Sequence, residues 1–228
     1  MDLFSLKTKI AHFLSSDQTG HGMDHLERVL DLATQFSKNH SVDAKKITLI
    51  AWLHDVDDYK LTGMQPMVNL PNAERFMKEV GVPVAMQHQV VQEILRLGFN
   101  KALEGIRPLS SEGKLVSDAD MCDAIGAQGL RRVLTFGAFK KQPFFLKDVF
   151  PNVTMNATTY RLQGTTHTIN HFFEKLLRLK GMMLTEEGKA EAKNRHDWMV
   201  TFLKQFFEEE KQSQWNKYLM DYEQSMLQ

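Results

Sequence analysis

Ile47-Thr48-Leu49-Ile50-Ala51-Trp52-Leu53-His54-Asp55 decides the reading of this chain. Apolar residues dominate the stretch as far as Leu53, so it predicts a helix that enters the core. An imidazole and a carboxylate stand together at its end, followed at once by Val56, Asp57, Asp58, Tyr59 and Lys60. Burying a charge costs several kcal/mol unless the charge is paired or bound to a metal. A second histidine lies upstream in His25-Leu26-Glu27-Arg28-Val29, and an acidic cluster lies downstream in Asp118-Ala119-Asp120. His25, His54, Asp55 and Asp120 thus form a mixed nitrogen and oxygen ligand set drawn from three segments, and point to a metal-dependent hydrolase. The competing interpretation of His54-Asp55 is a capped helix end with a satisfied histidine.

Helical periodicity surrounds this stretch. Between Asp24 and His40, Leu26, Val29, Leu30, Leu32, Ala33 and Phe36 recur at three- and four-residue spacing. Ser41 or Asp43 is a cap for the helix that follows. Gly63, Pro66 and Pro71 break the chain after Lys60, Asn72 opens a short helix to about Val80, and Val82-Pro83 starts another towards Gly98. A helix from Ser110 to Asp123 turns Leu115, Val116 and Ala119 inward with Asp120 near its end, and a further helix spans Ile125 to Phe139. The stretch from Gln142 to Gly164, with Pro143 and Pro151, is the least helical part, a loop with room for a short extended pair. Helices resume at Thr166, and Thr185 before Glu186-Glu187 marks a helix start. Period-two alternation is scarce, so the fold class is all-α. The division expected is 1–140 for the metal-binding helical core, 141–165 for a loop and candidate lid, and 166–228 for C-terminal helices packing on the same domain.

Composition narrows the function classes. The 28 Lys and Arg equal the 28 Asp and Glu, which removes the basic excess that nucleic-acid binding needs. A hydrophobic content of 43% in 228 residues supports a core that holds without metal or disulfide. Cys122 stands alone, in keeping with a reducing cytoplasm. No segment approaches the ~20 apolar residues of a membrane span, so the expectation is a cytoplasmic protein with no membrane or nucleic-acid partner. Neither a Walker-type glycine loop nor a Gly-x-Ser-x-Gly elbow is present.

Several residues near the ligand set invite roles. Asp58, three residues after Asp55, is the candidate for orienting or deprotonating a water, provided the helix persists; otherwise Asp57 and Asp58 are loop caps. Arg28 shares a helix face with His25 and Lys60 follows His54-Asp55, so both are candidate phosphate-binding cations. A salt bridge from Arg28 to Asp24, Asp55 or Asp120 is the alternative. His21 is a further candidate for the pocket, and Asp123 for steering a ligand histidine. His171 and Lys175, four residues apart, share a face that closes over a phosphate or packs the C-terminal helices, while Phe172, Phe173, Leu176 and Leu177 read as core. His196-Asp197 repeats the dipeptide within a polar stretch, and there it reads as a solvated surface face.

The order His25, His54-Asp55, Asp120 resembles the ligand series of the HD superfamily of metal-dependent phosphohydrolases. The likeness extends to His21-Gly22-Met23-Asp24-His25, to Leu53 through Lys60, to Ser117 through Ala127 and to Ile169 through Leu177, in order along most of the chain. It implies an HD-domain helical bundle with additional C-terminal helices. The implied activity is hydrolysis of nucleoside or deoxynucleoside triphosphates to a monophosphate and pyrophosphate by a metal-activated water. A nucleoside 5'-monophosphate phosphatase and a non-catalytic metal- or nucleotide-binding module are the alternatives. The ligand types suit Mn²⁺, Fe²⁺, Zn²⁺, Co²⁺ or Ni²⁺ and tolerate Mg²⁺, and the resemblance favours Mn²⁺ or Mg²⁺. The partner expected is a small phosphorylated molecule, and a homodimer through the C-terminal helices is compatible with the chain.

Overall fold

Asp43 and the apolar run behind it set the first helix that matters. The Asp43 carboxylate accepts hydrogen bonds from Lys45 N and Lys46 N (2.8 and 3.3 Å), and every apolar residue from Ile47 to Leu53 is buried. A helix apolar on all faces has to be central, and this one packs against neighbours on several sides. The computed structural model describes residues 1–15, 22–58, 69–154 and 165–226. Among the described residues the secondary structure is entirely helical, as the periodicity predicts, and no described helix is long and apolar enough to cross a membrane. The chain divides into two compact units, Met1–Asp123 and Ala124–Gln228.

The first unit holds α1 (Leu3–Phe13), α2 (Met23–Phe36), α3 (Ala44–Leu53), α4 (Pro71–Glu79), α5 (Val84–Ile94), the short α6 (Phe99–Leu103) and α7 (Ser111–Asp123), with a 3-10 turn at Ser37–Asn39. α2, α3 and α7 pack on one another and form the centre. Their directions follow from their end contacts. Glu112, in the first turn of α7, accepts from Asp43 N (3.0 Å) and lies 3.4 Å from Lys46 at the start of α3. His54, just past the end of α3, lies 3.6 Å from Asp120 near the end of α7. The two helices therefore run parallel, and α2, whose start carries His25 beside His54, runs against both.

Two further carboxylates hold helix starts. Asp57 accepts from Asn72 N and Ala73 N (3.0 and 2.9 Å), closing the first turn of α4 behind Pro71. Glu93, buried near the end of α5, accepts from Leu109 N and Ser110 N (both 2.9 Å) immediately before α7. That carboxylate lies against Gly113, where a Cβ would overlap it.

The second unit holds α8 (Gly126–Phe139), α9 (Thr168–Glu174), a 3-10 segment Leu176–Met182, α10 (Glu186–Glu209) and α11 (Ser213–Ser225). Thr185 caps α10 by accepting from Gly188 N (3.1 Å). The described part of the expected loop, as far as Thr154, contains no strand and is seated on the unit's core. Phe150 stacks on the fully buried Trp215 (4.4 Å between centroids), whose indole N–H donates to Lys147 O (2.8 Å), and Thr168 N and Ile169 N donate to Pro143 O and Phe144 O. The rest of that loop, 155–164, lies outside the described residues.

Gly113→Ala is expected to lower the stability of the folded chain by about 1–3 kcal/mol, the range for forcing a methyl into a filled space. The Glu93 carboxylate could yield only by giving up two backbone N–H groups. A urea-denaturation midpoint equal to that of the unsubstituted protein would refute this packing.

Candidate metal centre

The end of α3 presents His54 as its C-cap, with a hydrogen bond of 2.8 Å between Nδ1 and the Ala51 carbonyl oxygen. A carbonyl only accepts, so Nδ1 carries a proton, and the lone pair of the neutral ring is on Nε2. His25 is held the same way. Its Nδ1 lies 2.7 Å from Oδ2 of Asp123, so that nitrogen is the donor and Nε2 again carries the lone pair. Both rings are almost wholly buried, and neither Nε2 has a hydrogen-bond partner.

Two carboxylates face these lone pairs. His25 Nε2 lies 3.4 Å from both Asp55 Oδ2 and Asp120 Oδ1. His54 Nε2 lies 3.5 Å from Asp55 Oδ2 and 3.6 Å from Asp120 Oδ1. Ligand atoms of His25, His54 and Asp120 all fall within 4.8 Å of one another. These separations are long for an N–H···O bond. They match the edge of a coordination polyhedron, about 3 to 3.5 Å for metal–ligand bonds of ~2.1 Å. Two buried acceptor nitrogens facing two carboxylate oxygens lack a donor, and a divalent cation supplies what both need.

The electrostatics agree. Burial pushes the Asp120 carboxyl up, yet the two imidazoles outweigh it and hold the group well below the usual carboxylate range. Burial likewise pushes His54 down, and the Asp55 and Asp120 carboxylates more than reverse it, so the ring is held above its ordinary value. The C-terminal end of α3 adds the negative pole of its dipole beside the cluster.

The other residues singled out from the sequence fare unequally. Asp57 is a cap, accepting from Asn72 N and Ala73 N. α3 stops at Leu53, and bonded turns carry the chain onward, Asp58 N donating to Asp55 O (3.0 Å), so Asp58 is placed by a turn and not by a continuing helix face. Arg28 makes the salt bridge that was its alternative, to Asp24 (2.9 Å), and a second, unforeseen one to Asp123. His21 and Lys60 lie outside the described residues. Lys175 belongs to the second unit, where it ends α9 with its N–H donating to His171 O (3.1 Å). His196 is not on a solvated face. It is fully buried in the second unit, its Nε2 2.9 Å from Glu223 Oε2. The sequence held a signal for this, since Ala192, His196, Met199 and Leu203 form a buried stripe at helical spacing. Glu93 went unnoticed because its two partners are backbone groups.

No family model matches the chain. The Bacillus subtilis protein YpgQ is 32% identical over 203 residues, covering 88% of this chain and 89% of that protein. A Lactobacillus plantarum protein of known structure superposes with a TM-score of 0.78 at 33% identity, over 92% of this chain and 96% of its own. An HD-superfamily hydrolase from Bacillus thuringiensis superposes at 0.69 with 29% identity and the same coverage. The structure of YpgQ in complex with ADP superposes at 0.66, over 90% of this chain and 92% of its own, with 27% identity when residues are paired by position. With the histidine and aspartate cluster in the order described, the chain belongs to the HD superfamily of metal-dependent phosphohydrolases.

Proposed function

We propose that the protein hydrolyses nucleoside or deoxynucleoside triphosphates to a monophosphate and pyrophosphate, with His25, His54, Asp55 and Asp120 holding one divalent ion, Mn²⁺ or Mg²⁺. The observation that carries the metal role is the pair of buried, unpartnered Nε2 atoms 3.4–3.6 Å from two carboxylate oxygens. Support for a nucleotide substrate comes from YpgQ, whose structure holds ADP. Support for the triphosphate and for Mn²⁺ is the resemblance of the sequence blocks. The single cysteine favours a cytoplasmic setting.

When bound, the ion neutralises phosphoryl charge and acidifies a water. The chain's own residues set the geometry for this. His54 and His25 offer fixed lone pairs, and Asp55 and Asp120 bring the compensating negative charge. Although α3 does not continue, the i→i+3 turn bond from Asp58 N to Asp55 O keeps Asp58 beside Asp55, and in this reading its carboxylate orients the attacking water and accepts its proton. A new bond forms between the water oxygen and the α-phosphorus as the bond from that phosphorus to the bridging oxygen breaks, and pyrophosphate leaves. Lys60 and His21 supply charge to the departing phosphates.

With Mn²⁺ the purified protein is expected to convert dATP to dAMP and pyrophosphate, read as separate products. Asp55→Ala should lower turnover by about a hundredfold or more, as for loss of a group that stabilises transition-state charge, and leave the helical circular dichroism in place. Release of phosphate from dAMP with dATP untouched would move the assignment to a monophosphatase. Binding of Mn²⁺ without turnover of any nucleotide would leave a sensor module.

The raised pKa of His54 also has a sign that can be measured. Below it the ring carries a second proton that must leave before Nε2 can bind an ion, so apparent Mn²⁺ affinity should climb as pH rises above 6.5 and level off beyond the folded-state value. The metal-free protein should show the reverse in stability. Its folded state binds the extra proton more tightly than the unfolded chain, and that contribution, complete below pH 6.5, is lost as pH rises through the folded-state value. Affinity that is flat with pH from 6 to 9 would contradict the first expectation, and denaturation midpoints over the same range test the second.

A further inference from the structure

Arg28 spends three of its five N–H groups on carboxylates of its own unit. Its Nε donates to Asp123 Oδ1 (2.7 Å) and its Nη2 to Asp123 Oδ2 (3.0 Å), a forked pair that uses both carboxylate oxygens. Its Nη1 donates to Asp24 Oδ2 (2.9 Å), four residues earlier on the same helix. The guanidinium is thereby anchored to α2 on one side and to the last residue of α7 on the other. Asp123 Oδ2 is the same oxygen that accepts from His25 Nδ1. Turning the Asp123 carboxylate away from His25 would break both bonds of the fork, and Asp123 is 2% exposed, so no solvent stands ready to replace them.

We infer that Arg28 is a positioning residue for the metal centre, clamping Asp123 so that Asp123 fixes the ring orientation and Nδ1–H tautomer of His25 and keeps Nε2 aimed at the ion. The inference rests on the reading of His25 as a metal ligand. It differs in sign from what charge alone dictates. A guanidinium near a divalent cation repels it, so removing Arg28 would tighten metal binding if repulsion were its main effect. A clamp makes removal weaken binding. It also differs from a substrate role, since a phosphate-gripping arginine would leave the affinity for the bare ion unchanged.

Mn²⁺ titration of the purified protein without nucleotide, following free Mn²⁺ by its paramagnetic resonance, separates these. Asp123→Asn should raise the Mn²⁺ dissociation constant by about 10- to 100-fold, the usual effect of losing the partner of a ligating histidine. Arg28→Lys keeps the charge and loses the fork, and it should raise the constant by about tenfold. Adding Arg28→Lys to Asp123→Asn should change nothing more, because the arginine acts through the aspartate. The paired variant Arg28→Gln with Asp123→Asn removes both charges together and covers the case where a single variant fails to fold, as judged by circular dichroism. In it, affinity should still fall by about tenfold or more. If His25→Ala loses Mn²⁺ while the Arg28 variants bind it at or above wild-type affinity, the clamp is overturned and the metal reading stands. If His25→Ala binds Mn²⁺ as the wild type does, His25 is no ligand, and both fall.

Discussion

Two imidazole lone pairs and two carboxylates meet at the edge of an apolar core, and the first unit is arranged around that unsatisfied meeting. Each Nε2 would be a costly orphan in a protein built for stability alone, about 1–3 kcal/mol for a buried acceptor without a donor. The helix ends make the strain larger. Asp55 follows the end of α3, and Asp120 and Asp123 sit in the last turn of α7, where the helix dipoles disfavour negative charge. Three carboxylates at the wrong helix pole are unfavourable for folding and favourable for a cation. Functional sites commonly break local rules in this manner, and the core of α2, α3 and α7 supplies the stability that permits it.

The directions of those helices explain how one site draws on residues about a hundred positions apart. With α3 and α7 parallel and α2 reversed, the start of α2 and the ends of the other two fall at one end of the layer. The opposite end is fixed by hydrogen bonds that have nothing to do with the metal. Asp43 caps α3, Glu112 ties α7 to it, and Glu93 secures the entry to α7. Burial raises the Glu112 carboxyl, but the Asp43 N–H and Lys46 draw it below its ordinary range, so it stays charged where the two helices begin. Fixed starts make the far ends precise to the fraction of an ångström that coordination demands.

Much of this was legible from local pattern. The apolar run from Ile47 to Leu53, the cap at Asp43, the helix to Asp123 with Leu115, Val116 and Ala119 inward, and the start at Thr185 all depend on neighbours within a few residues, and all are found. The grouping of the histidines and aspartates was legible only because the residue types were chemically unusual where they stood. What pattern could not supply is pairing across distance. Asp123 was a candidate for steering a histidine and Arg28 a candidate for a salt bridge, but the bond joining them spans 95 residues and depends on helix packing. Glu93 acts on two backbone N–H groups, which every non-proline residue has, so the sequence carries no mark of its targets.

The two His-Asp dipeptides show why residue identity is not enough. His196 and Asp197 lie inside α10, where the helix continues and successive side chains diverge by ~100°. One is driven inward and the other outward. His196 is fully buried against Glu223, while Asp197 is half-exposed and bonds Lys193, which draws its carboxyl below the usual range. His54 and Asp55 stand where α3 has just ended. Their Nε2 and Oδ2 lie 3.5 Å apart, and each faces a partner from another helix, His54 Nε2 at 3.6 Å from Asp120 Oδ1 and Asp55 Oδ2 at 3.4 Å from His25 Nε2. The first pair is split between core and solvent, and the second stands at a helix end beside ligand-type side chains of α2 and α7. The termination of α3 at Leu53 is therefore part of the site, as much as the histidine and aspartate that follow it.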